Sequence, residues 1–281
     1  MQHIFKSYIK FLWKSTNAHG VHSPFVFDLV RKCFYDKTDF PEYKTLDEYR
    51  NSLLQNKNTI EVTDFGAGSR VFKSNTRAIN KIAENAGISV KDAKLLFRVV
   101  HYFKPENILE IGTSLGLATS AIAVNKSTEI TTLEGCQETA RVAQSQFQKF
   151  NFDVNSVVTE FESHLKTYPE MSGLKSPTLD LIYFDGNHSK EATLNYFELL
   201  LPTISNETLW IFDDIHWSSG MEEAWKIIKK HPKVTVTIDT FQWGFVFFRR
   251  EQEKEHFIIR TSKSFVLDNI LGAKNLWGLL K

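Results

Sequence analysis

From residue 105 to residue 250, short runs of β-branched and aromatic residues alternate with longer amphipathic runs. Such an alternation is typical of βαβ units wound around a parallel sheet. The last two short runs lie close enough in the chain to form antiparallel neighbours. The pattern predicts an α/β fold with seven strands, at residues 107–112, 129–133, 155–159, 179–184, 208–212, 233–239 and 244–249.

Two helices are predicted ahead of the sheet from their start signals. Ser23 and Pro24 are a favourable N-cap and first helical position, and Ser89 with Asp92 resembles a capping box. The second of these helices ends at Pro105 and leads into the first strand. The chain is therefore predicted to have three parts, an N-terminal helical extension (1–88), a sheet domain (89–250) and a tail with a strand and a helix (251–281).

The composition restricts the class of protein. Hydrophobic residues make up 42% and charged residues 24%, close to an ordinary soluble globular protein. The formal net charge of +1 creates no field that would attract nucleic acid. The two cysteines, Cys33 and Cys136, are too few for a disulfide framework and favour a reducing compartment. Because no signal peptide or run of about 18 apolar residues is visible, we expect a cytoplasmic protein without a transmembrane segment.

The run ILEIGTSLG at residues 108–116 is an apolar strand that ends in a glycine-bearing turn before a helical pattern. Glycine lets the backbone approach a ligand closely at the carboxyl end of a strand. The dinucleotide fingerprint G-x-G-x-x-G is absent, because no glycine stands between Gly112 and Gly116. Glu134 ends the next predicted strand, where a carboxylate suits the two hydroxyls of a ribose.

These residues resemble the class I S-adenosylmethionine-dependent methyltransferases, in particular the metal-dependent small-molecule O-methyltransferases of the catechol and caffeoyl-coenzyme A type. The resemblance covers over half of the chain and implies a Rossmann-like, seven-stranded methyltransferase sheet with helices on both faces. It also implies that Glu110, Gly112, Thr113 and Gly116 form the first cofactor motif and that Glu134 holds the ribose. The alternative is an ordinary strand-to-helix turn with an incidental glutamate.

Carboxylates follow two of the predicted strands. Asp185 comes at the end of the fourth strand with His188 close behind, and Asp213 and Asp214 come at the end of the fifth. The carboxyl ends of parallel strands open on one crevice, so three carboxylates would repel one another there unless protonated or bound to a cation. Their oxygen ligands suit Mg²⁺, Mn²⁺ or Ca²⁺ better than zinc. The alternative is that the aspartate pair caps a loop while Asp185 contacts the cofactor or orders its turn.

The resemblance gives these polar residues more definite roles. It implies that Asp185, Asp213 and Asp214 bind a divalent metal, with Mg²⁺ expected, and Asp185 is also expected to contact the cofactor. An aspartate stands second in the pair where catechol-type enzymes have asparagine, which makes the site more anionic and puts catechol-type substrates in doubt. His188 stands where those enzymes have a lysine base, and an imidazole suits that task; alternatively it caps the next helix. His216 is a weaker candidate, either supporting a ligand or lining the wall.

The predicted function is methyl transfer from S-adenosylmethionine to a hydroxyl of a small-molecule acceptor, assisted by a divalent metal. One alternative is a metal-independent methyltransferase that acts on a nitrogen or protein acceptor. Another is a non-catalytic binding protein that retains the fold.

Three segments have no definite role in this hypothesis. The glycine loop at residues 64–69 is a structural turn, a lid over the substrate or cofactor, or the true cofactor motif. The aromatic residues from Phe25 to Tyr35 are candidates for the acceptor wall. Amphipathic stripes at the two ends pack on their own domain or a second subunit, cover the substrate, or contact a membrane surface. The stripes comprise Phe5, Tyr8, Ile9 and Leu12 with Lys6, Lys10 and Lys14, and Val266, Ile270, Ala273, Trp277 and Leu280.

Overall fold

The structure of the chain, a computed structural model, describes residues 2–63, 74–125, 128–171 and 178–262. The glycine loop at residues 64–69 and the C-terminal stripe from Val266 onward lie outside the described residues. Within these ranges, no helix is both long enough and apolar enough to cross a membrane.

Helices precede and follow the strands along the chain. A π-helical turn, Val30–Phe34, directly continues the second helix. The α-helices of the described residues are α1 (Gln2–Lys14), α2 (Pro24–Leu29), α3 (Glu42–Leu54), α4 (Ile79–Asn85), α5 (Val90–Phe103), α6 (Leu117–Ala123), α7 (Gln137–Phe150), α8 (Phe161–Met171), α9 (Lys190–Leu200) and α10 (Ser219–Lys230).

The strands form one large sheet and one small hairpin. The antiparallel hairpin consists of β1 (Thr59–Glu61) and β2 (Thr76–Ala78). The large sheet consists of β3 (Asn107–Ile111), β4 (Glu129–Glu134), β5 (Asn155–Val158), β6 (Leu181–Phe184), β7 (Leu209–Asp213), β8 (Val236–Asp239), β9 (Trp243–Phe247) and β10 (Glu255–Ile258).

The strand order of the large sheet is β10-β8-β9-β7-β6-β3-β4-β5. Strand β9 runs antiparallel to both of its neighbours, β7 and β8, and all other pairs are parallel. Strands β3 to β9 correspond to the seven predicted strands, including the antiparallel last pair, so the predicted fold class is confirmed. Strand β10 adds an eighth strand at the edge, within the segment assigned to the tail.

The predicted helix starts are present. The Ser23 hydroxyl accepts a hydrogen bond from the Val26 amide at 3.4 Å, and the Ser89 hydroxyl accepts one from the Asp92 amide at 3.1 Å. Ser89 also donates to the Asp92 carboxylate at 2.6 Å. Each cap satisfies an amide that the first turn of its helix leaves without a partner. Helix α5 ends at Phe103, and Lys104 follows it as the C-cap in a left-handed conformation.

The sheet separates two hydrophobic cores. On one face, side chains of α2, α3 and α5 pack on the sheet, and Phe25 lies 5.0 Å from Phe247 between ring centroids. On the other face, Phe197 of α9 lies 5.3 Å from Trp210 of β7, and Trp225 of α10 joins the same cluster. The helices before residue 88 therefore cover a face of the sheet and share its core.

The N-terminal segment also reaches the β10 edge of the sheet. Thr16 and Ile259 form a parallel bridge just beyond β10. The guanidinium of Arg260 donates to the carbonyl and the hydroxyl of Ser15, both at 2.9 Å. These contacts fix the end of α1 against the strand that closes this edge.

Candidate active site

A cleft opens at the carboxyl ends of the parallel strands β3, β4, β6 and β7. Its volume is about 590 Å³, within the usual range for a site that holds a small molecule. Its lining includes six residues predicted from sequence: Gly112, Glu134, Asp185, His188, Asp213 and Asp214. The sheet topology thus brings together side chains that lie up to 102 positions apart in the chain.

Gly112 forms the turn after β3. Its φ of +101° favours glycine, and a β-carbon there would lie 2.3 Å from the carbonyl oxygen of Asp185. The Gly112 amide donates to the Leu133 carbonyl at 2.9 Å. The missing side chain therefore lets the ends of β3 and β6 approach each other at the floor of the cleft.

Glu134 ends β4 and presents its carboxylate to the cleft. One carboxylate oxygen accepts from the Ser114 amide at 2.7 Å, and the other accepts from the Cys136 amide at 2.8 Å. Burial raises the pKa of Glu134, and these backbone hydrogen bonds oppose that effect. Each carboxylate oxygen keeps a further lone pair. The side chain is therefore rigidly held and can still accept hydrogen bonds from two ligand hydroxyls.

Glu110 and Thr113 do not line this cleft, although the resemblance assigned them to the cofactor. Glu110 is fully buried, and one of its carboxylate oxygens accepts from the hydroxyls of Thr119 and Thr132. The Thr113 hydroxyl lies 2.6 Å from that of Thr132. Burial raises the pKa of Glu110 to about 7. These side chains join β3, β4 and α6 beneath the turn after β3 and shape the cleft from below.

Gly116 also lies outside the cleft lining. It begins α6 with a φ of +75°, and a β-carbon there would lie 2.5 Å from the Tyr49 hydroxyl and 2.6 Å from the Phe147 ring. The buried Tyr49 hydroxyl donates to the Leu115 carbonyl at 2.9 Å. Gly116 therefore allows α3 and α7 to pack against the turn, a role that depends on residues distant in sequence.

The other end of the cleft carries the predicted acidic group and His188. Nε2 of His188 lies 3.5 Å from a carboxylate oxygen of Asp185. The side-chain amide of Gln242 donates to Asp213 at 2.7 Å and to Asp214 at 3.0 Å. Sequence reasoning missed Gln242, because the loop between β8 and β9 carries no motif and reaches the cleft only through the fold.

Burial and mutual repulsion control the charges in this group. Burial raises the pKa of Asp185 and, together with the neighbouring Asp185 charge, raises that of Asp213. The two carboxyls hydrogen-bond to each other, which requires one of them to keep a proton. Burial alone would lower the pKa of His188, but Asp185, Asp214 and Asp213 outweigh it and raise that pKa to about 9. The imidazole must therefore lose a proton before it can act as a base.

The described residues contain no group of three or more His, Cys, Asp or Glu side chains arranged to hold a metal ion. His216 lies outside the cleft lining. Its two ring nitrogens contact Glu222 at 2.9 Å and Asp239 at 3.0 Å, and its ring stacks on Phe241 with centroids 5.1 Å apart. His216 therefore fixes the β8–β9 loop from behind, one residue from Gln242.

The aromatic residues from Phe25 to Tyr35 are not among the residues that line the cleft. Phe25 and Phe34 pack on β9, because the apolar sheet face takes up their rings. The part of the first 88 residues that does line the cleft lies later, and it includes Val62, Arg77, Ile82 and Ile88.

The described residues have the fold of the class I methyltransferases: a seven-strand core with one antiparallel strand, extended at its edge, and a cleft at the carboxyl ends of the parallel strands. Residues 109–215 match the family model described as a methyltransferase domain. These findings confirm the predicted resemblance to the S-adenosylmethionine-dependent methyltransferases. No curated protein matches the chain.

Solved structures with the same fold include several methyltransferases. The O-methyltransferase TomG from Streptomyces achromogenes in complex with SAM is 13% identical, with a TM-score of 0.52 over 75% of this chain and 91% of its own. The SAH-bound methyltransferase PaMTH1 from Podospora anserina is 16% identical, with a TM-score of 0.51 over 76% and 99%. Cofactor-bound Rv0187 from MTB is 16% identical, with a TM-score of 0.51 over 75% and 91%.

Proposed function

We propose that the chain transfers a methyl group from S-adenosylmethionine to a hydroxyl of a small-molecule acceptor. The observation that carries the proposal is that one cleft holds Glu134 on the β4 side and Asp185, His188 and Asp213 on the β6 and β7 side, with Gly112 between them. An anchored carboxylate beside a close backbone turn suits a nucleoside, and an imidazole beside carboxylates suits removal of a hydroxyl proton.

Glu134 and Gly112 fit the cofactor. Glu134 would hold the ribose hydroxyls, because the Ser114 and Cys136 amides already fix both of its oxygens. Gly112 leaves room for the ligand next to the end of β6. When bound, S-adenosylmethionine supplies an electrophilic methyl group on a sulfonium sulfur. Binding between fixed groups orients that methyl group towards the acceptor end.

His188, on the β6 and β7 side, would take the proton. The acceptor oxygen forms the new carbon–oxygen bond as the carbon–sulfur bond breaks, and the hydroxyl proton moves to Nδ1 of deprotonated His188, because Nε2 faces Asp185. Asp185, 3.5 Å away, would orient the imidazole and stabilise its positive charge. The reaction leaves the methyl ether, the demethylated cofactor and one proton on the histidine.

We also propose a divalent cation for this end of the cleft, because the carboxylates of Asp185, Asp213 and Asp214 are hard oxygen donors of the kind that Mg²⁺ prefers. The three side chains are not arranged around a common point as they stand, so they would have to rotate to hold it. The burial of two neighbouring carboxyls is the observation that favours a cation, because both can ionise only when a positive charge compensates their repulsion. When bound, the cation would lower the pKa of the acceptor hydroxyl. Gln242, which donates to Asp213 and Asp214, would have to turn its amide for its oxygen to join them.

The experiment measures methyl transfer with purified full-length protein, S-adenosylmethionine labelled on its methyl group, and a panel of small hydroxylated, amine and peptide acceptors. The proposal predicts an O-methylated product that gains one CH₂ in mass. Assays with added Mg²⁺ and with a chelator test the cation separately. Methyl transfer only to the amine or peptide acceptors would overturn the proposal that the acceptor is a hydroxyl. Undiminished turnover in the presence of a chelator would overturn the proposal of a divalent cation.

A further inference from the structure

Helix α1 is apolar on two opposite faces. Its inner face carries Ser7 and Phe11, both buried, and Phe11 lies 5.5 Å from the Phe241 ring. Its outer face carries Phe5, 67% exposed, and Ile9, 51% exposed, one turn apart. Packing within the domain therefore accounts for the buried side chains of the inner face. The large apolar side chains of the outer face remain exposed to water.

The outer face is bordered by positive charge only. Lys6, Lys10 and Lys14 repeat every four residues, all exposed, and no acidic residue occurs in the chain before Asp28. Because residues four apart lie above one another on a helix, the three lysines form one row beside the apolar face. This arrangement is typical of helices that lie in the interface of an anionic membrane.

Helix α10 adds lysines next to α1. Lys226, Lys10 and Lys14 lie close enough to Lys229 to act on its charge, as does Asp239, which His216 contacts at 3.0 Å. The two acidic side chains nearby on α10 already form ion pairs: Glu222 with His216 at 2.9 Å and Glu223 with Lys190 at 2.9 Å. Several lysines therefore converge beside exposed apolar side chains.

We propose that the outer face of α1, with the adjoining lysines, docks on an anionic lipid surface. Insertion of Phe5 and Ile9 into the headgroup boundary removes apolar surface from water, and the lysines pair with anionic headgroups. A second copy of the chain suits this face less well, because two α1 helices packed together would bring two rows of lysines into contact without an acid on either helix.

The docked helix adjoins the cleft. Tyr8 lies 4.8 Å from Phe241 between ring centroids, and Phe241 directly precedes Gln242 in the cleft wall. Docking through α1 would therefore bring the acceptor end of the cleft near the lipid surface. The docking itself does not depend on methyl transfer, so its test is separate from that of the proposed function.

The test is co-sedimentation of the full-length protein with vesicles of phosphatidylcholine alone and of phosphatidylcholine with an equal amount of phosphatidylglycerol, in low and high salt. We expect binding to the anionic vesicles that weakens in high salt. The Phe5→Ser/Ile9→Ser variant should bind about tenfold more weakly. The Lys10→Gln/Lys14→Gln variant should lose about fivefold for each lysine, and it touches no buried residue.

Val158→Ser is the matched control, because Val158 is 44% exposed on β5, at the opposite edge of the sheet. It should bind vesicles as the unchanged protein does. Failure of the unchanged protein to sediment with anionic vesicles in low salt would overturn the proposal. So would undiminished binding by both double variants, or a mass by light scattering that shows a dimer which the Phe5→Ser/Ile9→Ser variant dissociates.

Discussion

Replacing Glu110 by glutamine is expected to abolish a loss of stability that the protein otherwise suffers as the pH rises. Glu110 is fully buried, and burial raises its pKa from 4.5 to about 7. In the unfolded chain the group ionises at its ordinary pKa, whereas the folded protein keeps the proton until about pH 7. The contribution of this proton to stability is therefore complete below pH 4.5 and is lost between pH 4.5 and 7.

The size of this loss follows from the difference of about 2.5 between the two pKa values. At about 1.4 kcal/mol for each pKa unit, Glu110 costs the folded state about 3 kcal/mol above pH 7. Glutamine has nearly the same shape, and its amide oxygen can accept from Thr119 and Thr132 as the carboxylate does. The Glu110→Gln variant should therefore keep its stability as the pH rises.

Urea unfolding followed by far-UV circular dichroism at pH 5 and pH 8 measures the effect. The free energy of unfolding of the variant, relative to the unchanged protein, should increase by about 2.5 kcal/mol between the two pH values, because part of the loss has already occurred at pH 5. Glu129→Gln, at an exposed position at the start of β4, is the control and should follow the unchanged protein. A relative change below about 1 kcal/mol would refute the argument that Glu110 is buried with a raised pKa.

Three further substitutions test other parts of the structure. Gly112→Ala should lower the free energy of unfolding by at least about 1–3 kcal/mol, measured with heat or urea, because the φ of Gly112 is positive and a β-carbon there meets a backbone oxygen. Gly220→Ala in α10 is the control and should not destabilise the fold. His188→Gln should lower kcat by about 10²- to 10⁴-fold while the Kd of the cofactor stays within about twofold. An unchanged kcat would show that His188 is not the general base. Arg98→Met should cost about 2 kcal/mol of unfolding free energy, because the guanidinium donates to the Cys33 carbonyl at 2.9 Å and the Tyr43 hydroxyl at 3.1 Å.

The strands that form the cleft could be predicted from sequence because their signals are local. The buried strands β6 and β7 are continuous apolar runs, and each is followed directly by the acids that the cleft brings together. The topology of an open parallel sheet then requires Asp185 and Asp213 to lie at the same edge. The glycine turn after β3 was predictable for the same reason.

The remaining features depend on contacts that no local pattern encodes. A strand was predicted in the tail, but β10 has only four residues, two of them exposed, and its place beside β8 in the large sheet depends on the free edge that β8 offers. Gly116 follows a cofactor-like spacing, yet its neighbours are Tyr49 and Phe147 from distant helices. Gln242 reaches the acids through a loop fixed by His216 and α1. Sequence periodicity predicts elements and their order but not which side chain of a loop enters the cleft.

Binding of the cofactor to the Glu134 end of the cleft is the central claim, and isothermal titration calorimetry with S-adenosylmethionine and with its demethylated product tests it most directly. The unchanged protein should bind one molecule of each per chain. Glu134→Gln should weaken the binding of both ligands about tenfold or more. The Ser114 and Cys136 amides donate to the two carboxylate oxygens of Glu134, whereas glutamine has only one oxygen that can accept a hydrogen bond. Glu138→Gln, at a half-buried position nearby on α7 where the carboxylate pairs with Arg141, should leave both affinities as they are. Absence of binding to the unchanged protein, or equal affinity in Glu134→Gln, would contradict the account.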